Sequence, residues 1–230
     1  SEGLQIGEET DHATSMIHMT CSVGMLDLLK GDLPQAAAML ERSLALCRSA
    51  NIPVYVPFTA SRLGCAYAQA GRVSEALPYL EQGVDETLNS GRVAFVSLSM
   101  ASLGEGYLFA GRLAEAVATA ERAPGLAKQH KERGHEAWAL KLLGDIALHE
   151  GRGEVEKAEA HYRQAWTLCR DLDMSPFAAH CRMGIGAAYA ARGAMAEAKS
   201  EISAAIEQFR AMEMTLWQER ARAVLESLPD

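Results

Sequence analysis

Apolar residues recur along the chain at intervals of three, four and seven or eight positions, which is the periodicity of an amphipathic helix. Leu40 and Leu44, for example, follow Ala36 at four and eight positions. Equivalent sets follow later in the chain: Leu80 and Val84, Tyr162 and Trp166, and Ile202 and Ile206. A half-exposed strand would instead alternate apolar and polar residues. The pattern therefore predicts an all-α protein.

The helical segments are copies of one another. The ten residues that start at Leu63, LGCAYAQAGR, closely match the ten that start at Leu103, LGEGYLFAGR. The glycine of this frame recurs at intervals of 40, 40, 40 and 42 residues, as Gly24, Gly64, Gly104, Gly144 and Gly186. A marker alanine follows each of them, as Ala36, Ala76, Ala116, Ala158 and Ala198. Each copy predicts two helices, with the glycine inside the first helix and the alanine inside the second.

Cap and breaker residues give the boundaries of these helices. Asp32 has the character of an N-cap, and Pro34 lies in the first turn that follows it. Pro124 falls inside a second helix, which it should kink or shorten. Eleven helices are predicted, at residues 10–30, 33–50, 53–70, 73–90, 92–110, 113–130, 133–150, 155–172, 175–192, 195–212 and 215–227.

The repeats fill the whole chain, so residues 1–230 are predicted to form one helical array. Its repeats would span about 10–50, 51–90, 91–130, 131–172 and 173–212, with a capping helix at 213–230. Residues 1–9 align with the end of a second helix whose start is missing. We therefore expect the chain to be a fragment of a larger protein.

Glycine and tyrosine in the first helix, glycine before the turn and alanine in the second helix resemble the tetratricopeptide repeat (TPR) family. The period of about 40 residues departs from the family's usual 34. The resemblance implies a right-handed superhelical α-solenoid of about five helix pairs plus a capping helix. The longer helices, with the segments from Met174 to Gly186 and from Met212 to Trp217, are similar to the C-terminal helical-repeat region of bacterial regulators. In those regulators the repeats serve an adenylate-cyclase-like, ATPase or transcriptional output.

Composition and charge exclude several classes of function. The net charge of −8 argues against nucleic acid and against an anionic membrane surface as partners. The five cysteines, Cys21, Cys47, Cys65, Cys169 and Cys181, have neither disulfide nor zinc spacing and are interpreted as small apolar residues of a reducing cytoplasm. No zinc-protease, nucleophile-elbow or phosphate-loop motif occurs. We therefore predict a protein that is not an enzyme and that has no cofactor or metal.

In the TPR family the first helix of each repeat lines the concave face, and this implies a groove. The candidate groove residues are Phe58, Glu105, Phe109, Trp138, Lys141, Asp145 and His149. The last four share one helical stripe, where an aromatic anchor beside charges has the composition of a binding hot spot. The alternative is that Trp138 packs against a neighbouring helix and the charges are merely solvated. In that case a second aromatic row would be the next candidate: Tyr55, Phe95, His135 and Phe177.

These observations predict a non-catalytic protein- or peptide-binding regulatory module of a multidomain bacterial signalling protein in the cytoplasm. The alternative is a repeat domain that senses a small molecule, in a pocket closed by Trp138 and Phe109, and controls a linked cyclase or transcription output. A homo-oligomer through the truncated N-terminal end is also predicted. There the lost helix would leave apolar side chains exposed, from among Met16, Met19, Val23 and Leu26.

Overall fold

A computed structural model describes residues 12–90 and 94–229, with the side chain of residue 152 excluded. The described residues form twelve α-helices and two short 3-10 helices, with no strand. The α-helices are α1 (Ala13–Lys30), α2 (Leu33–Ser49), α3 (Val56–Gln69), α4 (Val73–Asn89), α5 (Val96–Phe109), α6 (Leu113–Ala120), α7 (Ala123–Gln129), α8 (Arg133–Glu150), α9 (Val155–Asp171), α10 (Ser175–Ala191), α11 (Met195–Ala211) and α12 (Thr215–Ser227). The 3-10 helices are Pro53–Tyr55 and Arg152–Glu154. The predicted all-α fold is confirmed.

The helix ends lie where the cap residues predicted them. The Asp32 carboxylate accepts a hydrogen bond from the backbone N–H of Gln35 at 3.2 Å, with Pro34 in the first turn of α2. Gly31 ends α1 in the left-handed region, at φ 89°, and its N–H donates to the carbonyl of Asp27 at 2.9 Å. The equivalent glycines of later repeats also have positive φ, namely Gly71, Gly111, Gly151 and Gly193.

Two predicted helices differ most from the structure. The helix predicted at 113–130 is two helices, α6 and α7, with Pro124 in the first turn of the second. Proline has no N–H to donate and its ring clashes with the preceding turn, so the helix breaks before it. The helix predicted from residue 92 begins only at Val96, because Phe95 has a left-handed backbone at φ 67°. Residues 91–93 lie outside the described part of the chain.

The chain divides into two compact units, of which the first ends at Arg112 and the second begins at Leu113. In the first unit α1 packs with α2 and α3 with α4, and α2–α3 and α4–α5 contacts join the pairs. In the second unit α7 and α6 pack on α8, α8 packs with α9, α10 with α11, and α11 with α12. Both units repeat the same antiparallel hairpin.

A glycine in the first helix sets the close approach of the two helices in four hairpins, at Gly24, Gly64, Gly144 and Gly186. A Cβ at Gly64 would lie 2.5 Å from Cγ of Leu80 and 3.1 Å from the carbonyl oxygen of Ala76. Leu80 is four residues after the marker alanine, so both repeat signatures meet at one contact. The glycine and the alanine therefore face each other at this contact, one on each helix of the hairpin.

Tyrosine side chains of the first helices join successive repeats in the first unit. The Tyr67 hydroxyl donates to Glu41 at 2.5 Å, and the equivalent Tyr107 donates to Glu81 at 3.1 Å. The guanidinium carbon of Arg72 lies 4.0 Å from the centre of the Tyr67 ring. Burial and the Glu41 carboxylate raise the pKa of Tyr67 to about 12. The tyrosine of the repeat signature therefore joins neighbouring hairpins and remains protonated.

Several turns after second helices require a left-handed backbone at a residue that is not glycine. Lys131, between α7 and α8, is exposed and has φ 60°. The other described positions of this kind are Asn51, Phe95, Asp173 and Glu213. A side chain in this region costs about 1 kcal/mol relative to glycine, which adopts it freely.

Replacing Lys131 with glycine is therefore expected to raise the free energy of unfolding by up to about 1 kcal/mol. Urea denaturation followed by circular dichroism measures the change. The matched control is Gln164→Gly in the exposed middle of α9, which should lower it by a similar amount because the backbone there is helical. A loss of stability in both variants would contradict the assignment.

Candidate functional site

Three candidate groove residues lie in the first unit. Phe58 on α3 is half-buried, with its ring centre 4.8 Å from that of Phe95. On α5, Glu105 is half-buried and the Phe109 side chain is 47% exposed at the end of the helix. The three residues are thus accessible to different degrees, and Phe109 is the most exposed of them.

The middle of the first unit's predicted inner face is closed. The inward residues in the middle of α3 and α5, Ser61, Cys65, Leu98 and Ala101, are buried. The two helices pack directly on each other, and the buried Arg62 guanidinium donates to the Ser102 hydroxyl across the contact. Small side chains allow this approach, so the middle of α3 and α5 offers little surface to a partner.

The remaining four candidates lie on α8 in the second unit, where the stripe is more open. Trp138 is half-buried, and its ring centre lies 4.4 Å from that of Phe177 on α10 at an angle of 31°. It packs on a buried cluster that includes Ala137, Leu140 and Cys181. Trp138 is thus neither fully enclosed nor fully exposed, and its role as a groove residue stays a prediction.

Lys141 and Asp145 form an ion pair on the same stripe. Their Nζ and Oδ2 atoms are 2.7 Å apart, and both side chains are about one fifth exposed. The other carboxylate oxygen of Asp145 accepts a 2.7 Å hydrogen bond from the Tyr162 hydroxyl of α9. Burial, together with the negative charge of Asp145, raises the pKa of Tyr162 well above its ordinary value. Asp145 is therefore held in place by partners on both carboxylate oxygens.

The fourth residue, His149, is exposed at the end of α8. A histidine that the sequence did not single out as a candidate, His180 of α10, lies closer to Trp138. Its ring centre is 6.2 Å from that of Phe177 and 4.5 Å from that of Trp217 on α12. Trp138, Phe177, His180 and Trp217 therefore form a continuous aromatic row across α8, α10 and α12.

This row is one case of a pairing that recurs between neighbouring repeats. The residue six positions before the glycine of one repeat touches the residue nine positions before the glycine of the next. His18 meets Tyr55 in this way, with ring centres 4.6 Å apart and a 2.8 Å hydrogen bond between Nε2 and the hydroxyl. Phe58 with Phe95 and Trp138 with Phe177 are further cases. The groove candidates Phe58 and Trp138 therefore pack on Phe95 and Phe177 of the second aromatic row.

His180 is expected to make the second unit sensitive to acid. Burial, with the positive charges of Lys141 and Arg220, lowers the pKa of His180 from 6.5 to about 3. Between about pH 6.5 and 3, His180 is protonated in the unfolded chain but stays neutral in the folded chain. The free energy of unfolding therefore decreases as the pH falls through this range. In urea denaturation between about pH 7 and 4.5, His180→Gln should lose less stability than the wild type.

The matched control is His149→Gln on the exposed end of α8, which should follow the pH dependence of the wild type. Equal acid sensitivity of the wild type and His180→Gln would contradict the burial of a neutral imidazole at position 180.

The five cysteines are all buried and unbridged. Cys169 and Cys181 of the second unit belong to the same buried hydrophobic cluster. In the part of the chain that the structure describes, no group of three or more His, Cys, Asp or Glu side chains could hold a metal ion. No helix there has the length and apolar character needed to cross a membrane.

Leu26, predicted as part of an apolar N-terminal face, is 53% exposed on α1, whereas Met16 is buried. Met19 and Val23 are half-buried. Self-association through this face stays a prediction.

The hairpin repeat places the chain among the helical-repeat proteins. Residues 59–91 match the tetratricopeptide repeat family, and this segment covers most of α3, the turn and α4. No curated protein sequence matches the chain significantly. Residues 59–91 are therefore a tetratricopeptide repeat, and the described helices have the fold of TPR proteins. The narrower resemblance to bacterial cyclase-like, ATPase or transcriptional regulators stays a prediction.

Solved structures are similar over nearly the whole chain. A Rap protein complexed with competence and sporulation factor has a TM-score of 0.80 at 12% identity, over 97% of this chain and 62% of its own. NprR in complex with its cognate peptide NprX has a TM-score of 0.74 at 12% identity, over 100% of this chain and 67% of its own. A thermophilic TPR protein of Thermus thermophilus has a TM-score of 0.61 at 20% identity, over 90% of this chain and 99% of its own. The chain thus spans about three fifths of the Rap protein.

Proposed function

We propose that this chain is a non-catalytic, peptide-binding regulatory module of a bacterial signalling protein that acts in the cytoplasm. The proposed peptide site in the second unit is the face formed by α8 and α10, with the end of the aromatic row on α12. The proposed contact residues there are Trp138, Lys141, Asp145 and His149. Phe58, Glu105 and Phe109 are proposed as contacts of the first unit.

The observation that carries the proposal is the fold shared with proteins that were solved in complex with a peptide or a factor. The NprR structure contains its cognate peptide, and the Rap structure contains competence and sporulation factor. Helical repeats present extended surfaces that suit a peptide better than a compact metabolite. Peptide binding is therefore the function that the fold of this chain supports best.

The chemistry of the α8 stripe supports a particular kind of peptide. The half-exposed Trp138 gives an apolar anchor. Lys141 and Arg220 both place positive charge beside His180, which stays neutral. We therefore expect a peptide with an apolar side chain next to an acidic group.

The proposal is tested with a peptide selected from a phage-displayed library of random linear peptides. Lys141→Gln should weaken its binding by about 1 kcal/mol and reduce the salt dependence, because Lys141 is a partly exposed charge. Fluorescence anisotropy at two salt concentrations measures both effects. Lys157→Gln on the exposed side of α9, where Lys157 pairs with Glu154, is the matched control and should bind as the wild type does.

Failure to select any peptide, or equal effects of the two lysine variants, would contradict the proposed site.

A further inference from the structure

A pocket of about 490 Å³ opens between α9, α10 and α11 in the second unit, and none of the groove candidates lines it. Its walls carry an unusual combination of charged, aromatic and amide groups. The lining residues are Trp166, Cys169, Arg170, Asp173, Ser175, Ala178, Arg182 and Gln208.

The cationic side of the pocket is built around one tryptophan. The guanidinium carbons of Arg170 and Arg182 lie 4.8 and 5.9 Å from the centre of the Trp166 ring. Arg182 also donates to Glu201 at 3.0 Å, which fixes its position. Arg170 makes no ion pair or side-chain hydrogen bond with another described residue. Its guanidinium is held by the ring and keeps its donors available for an oxyanion.

The pocket also offers acceptors. The side-chain carbonyl oxygen of Gln208 is buried and has no hydrogen-bond partner among the described residues. A buried acceptor left in this state costs free energy that a ligand N–H can recover. Asp173 adds a carboxylate, at a left-handed turn with φ 54°, that pairs with no described cation. A simple anion satisfies neither of these groups.

We propose that this pocket binds a free α-amino acid. Its carboxylate would bind Arg170, and its ammonium group would donate to Gln208 and Asp173. The side chain of the ligand would lie towards Cys169 and Ala178, the apolar part of the wall. A volume of about 490 Å³ accommodates any standard amino acid together with water. None of the proposed peptide contacts lines the pocket, so the two sites share no residue.

The ligand class is tested by isothermal titration calorimetry of the whole chain with each standard amino acid. The tightest binder is then compared with two analogues of the same side chain, the N-acetyl amino acid and the amino acid amide. The first analogue lacks the ammonium group and the second lacks the carboxylate. Binding of the parent, with losses of at least about tenfold for both analogues, is the expected result.

Variants of the pocket test the residues. Arg170→Gln and Gln208→Ala should each weaken binding of the same amino acid by about tenfold or more, since each removes a partner of one charged group. Arg210→Gln and Gln164→Ala are matched controls, because both residues lie outside the pocket lining on α11 and α9. Both controls should bind as the wild type does, and circular dichroism should show all four variants folded.

Three results would overturn the proposal. One is the absence of binding for every amino acid at about 10 mM. Another is equal binding of the parent and either analogue, which would assign the pocket to a simple anion or amine. The last is unchanged affinity in both folded variants, Arg170→Gln and Gln208→Ala.

Discussion

Replacing Gly144 with alanine is expected to lower the free energy of unfolding by about 3 kcal/mol. The added Cβ would lie 2.7 Å from Cε1 of Tyr162 and 2.8 Å from two further atoms of the ring. The ring cannot retreat, because Tyr162 is buried and a Cβ at Gly184 on the next helix would meet it as well. Its hydroxyl is also tied to Asp145. The strain must therefore move α8 away from α9.

Gly125→Ala is the matched control within the same unit. Gly125 lies in α7, and a Cβ there would meet nothing within 4 Å. Alanine favours a helix over glycine, so this variant should gain up to about 1 kcal/mol. Urea denaturation of both variants measures the two changes. If Gly144→Ala were as stable as Gly125→Ala, the close packing of α8 on α9 would be wrong.

Replacing Trp138 with alanine is expected to lower the free energy of unfolding by about 2 kcal/mol and to abolish most peptide binding. The stability loss follows from the contact with Phe177 and the buried cluster beneath it. It is smaller than for a fully enclosed tryptophan because the side chain is half-buried. Thermal denaturation and fluorescence anisotropy with the selected peptide measure the two effects separately.

Trp138→Phe separates packing from binding. A phenyl ring keeps a stack on Phe177, so most of the stability should return, whereas the outer edge of the indole is lost. Binding should then stay weakened while the thermal midpoint approaches that of the wild type. Recovery of both together would mean that Trp138 acts only through packing, and the peptide site would lie elsewhere.

Most of the fold followed from local signals in the sequence. The recurring glycine and alanine mark the contact between paired helices, and Asp32 and Pro34 mark a helix start that the structure retains. Pro124 predicted a kinked or shortened helix, but not the division into two separate helices, α6 and α7. The late start of α5 at Val96 was not predicted, because no sequence rule favours a left-handed phenylalanine at position 95.

The candidate site was less predictable, because it depends on how neighbouring helices pack beside each other. Helical periodicity placed Trp138 and Phe177 on separate rows, and only the packing of α8 beside α10 brings the rings together. Tyr162 belongs to the apolar pattern that follows Ala158, yet its hydroxyl reaches Asp145 at the edge of the stripe. The pocket around Trp166 draws on three helices, and no single-helix pattern contains it.

Photo-cross-linking is the most direct test of the central claim that the α8–α10 face of the second unit binds a peptide. The selected peptide would carry a photoreactive benzophenone side chain, and cross-linked residues would be mapped by mass spectrometry. The account predicts cross-links on α8 between Trp138 and His149 and on the facing side of α10, and their loss when unlabelled peptide competes. Cross-links concentrated on the outer sides of α9 and α11, for example at Lys157, would contradict it.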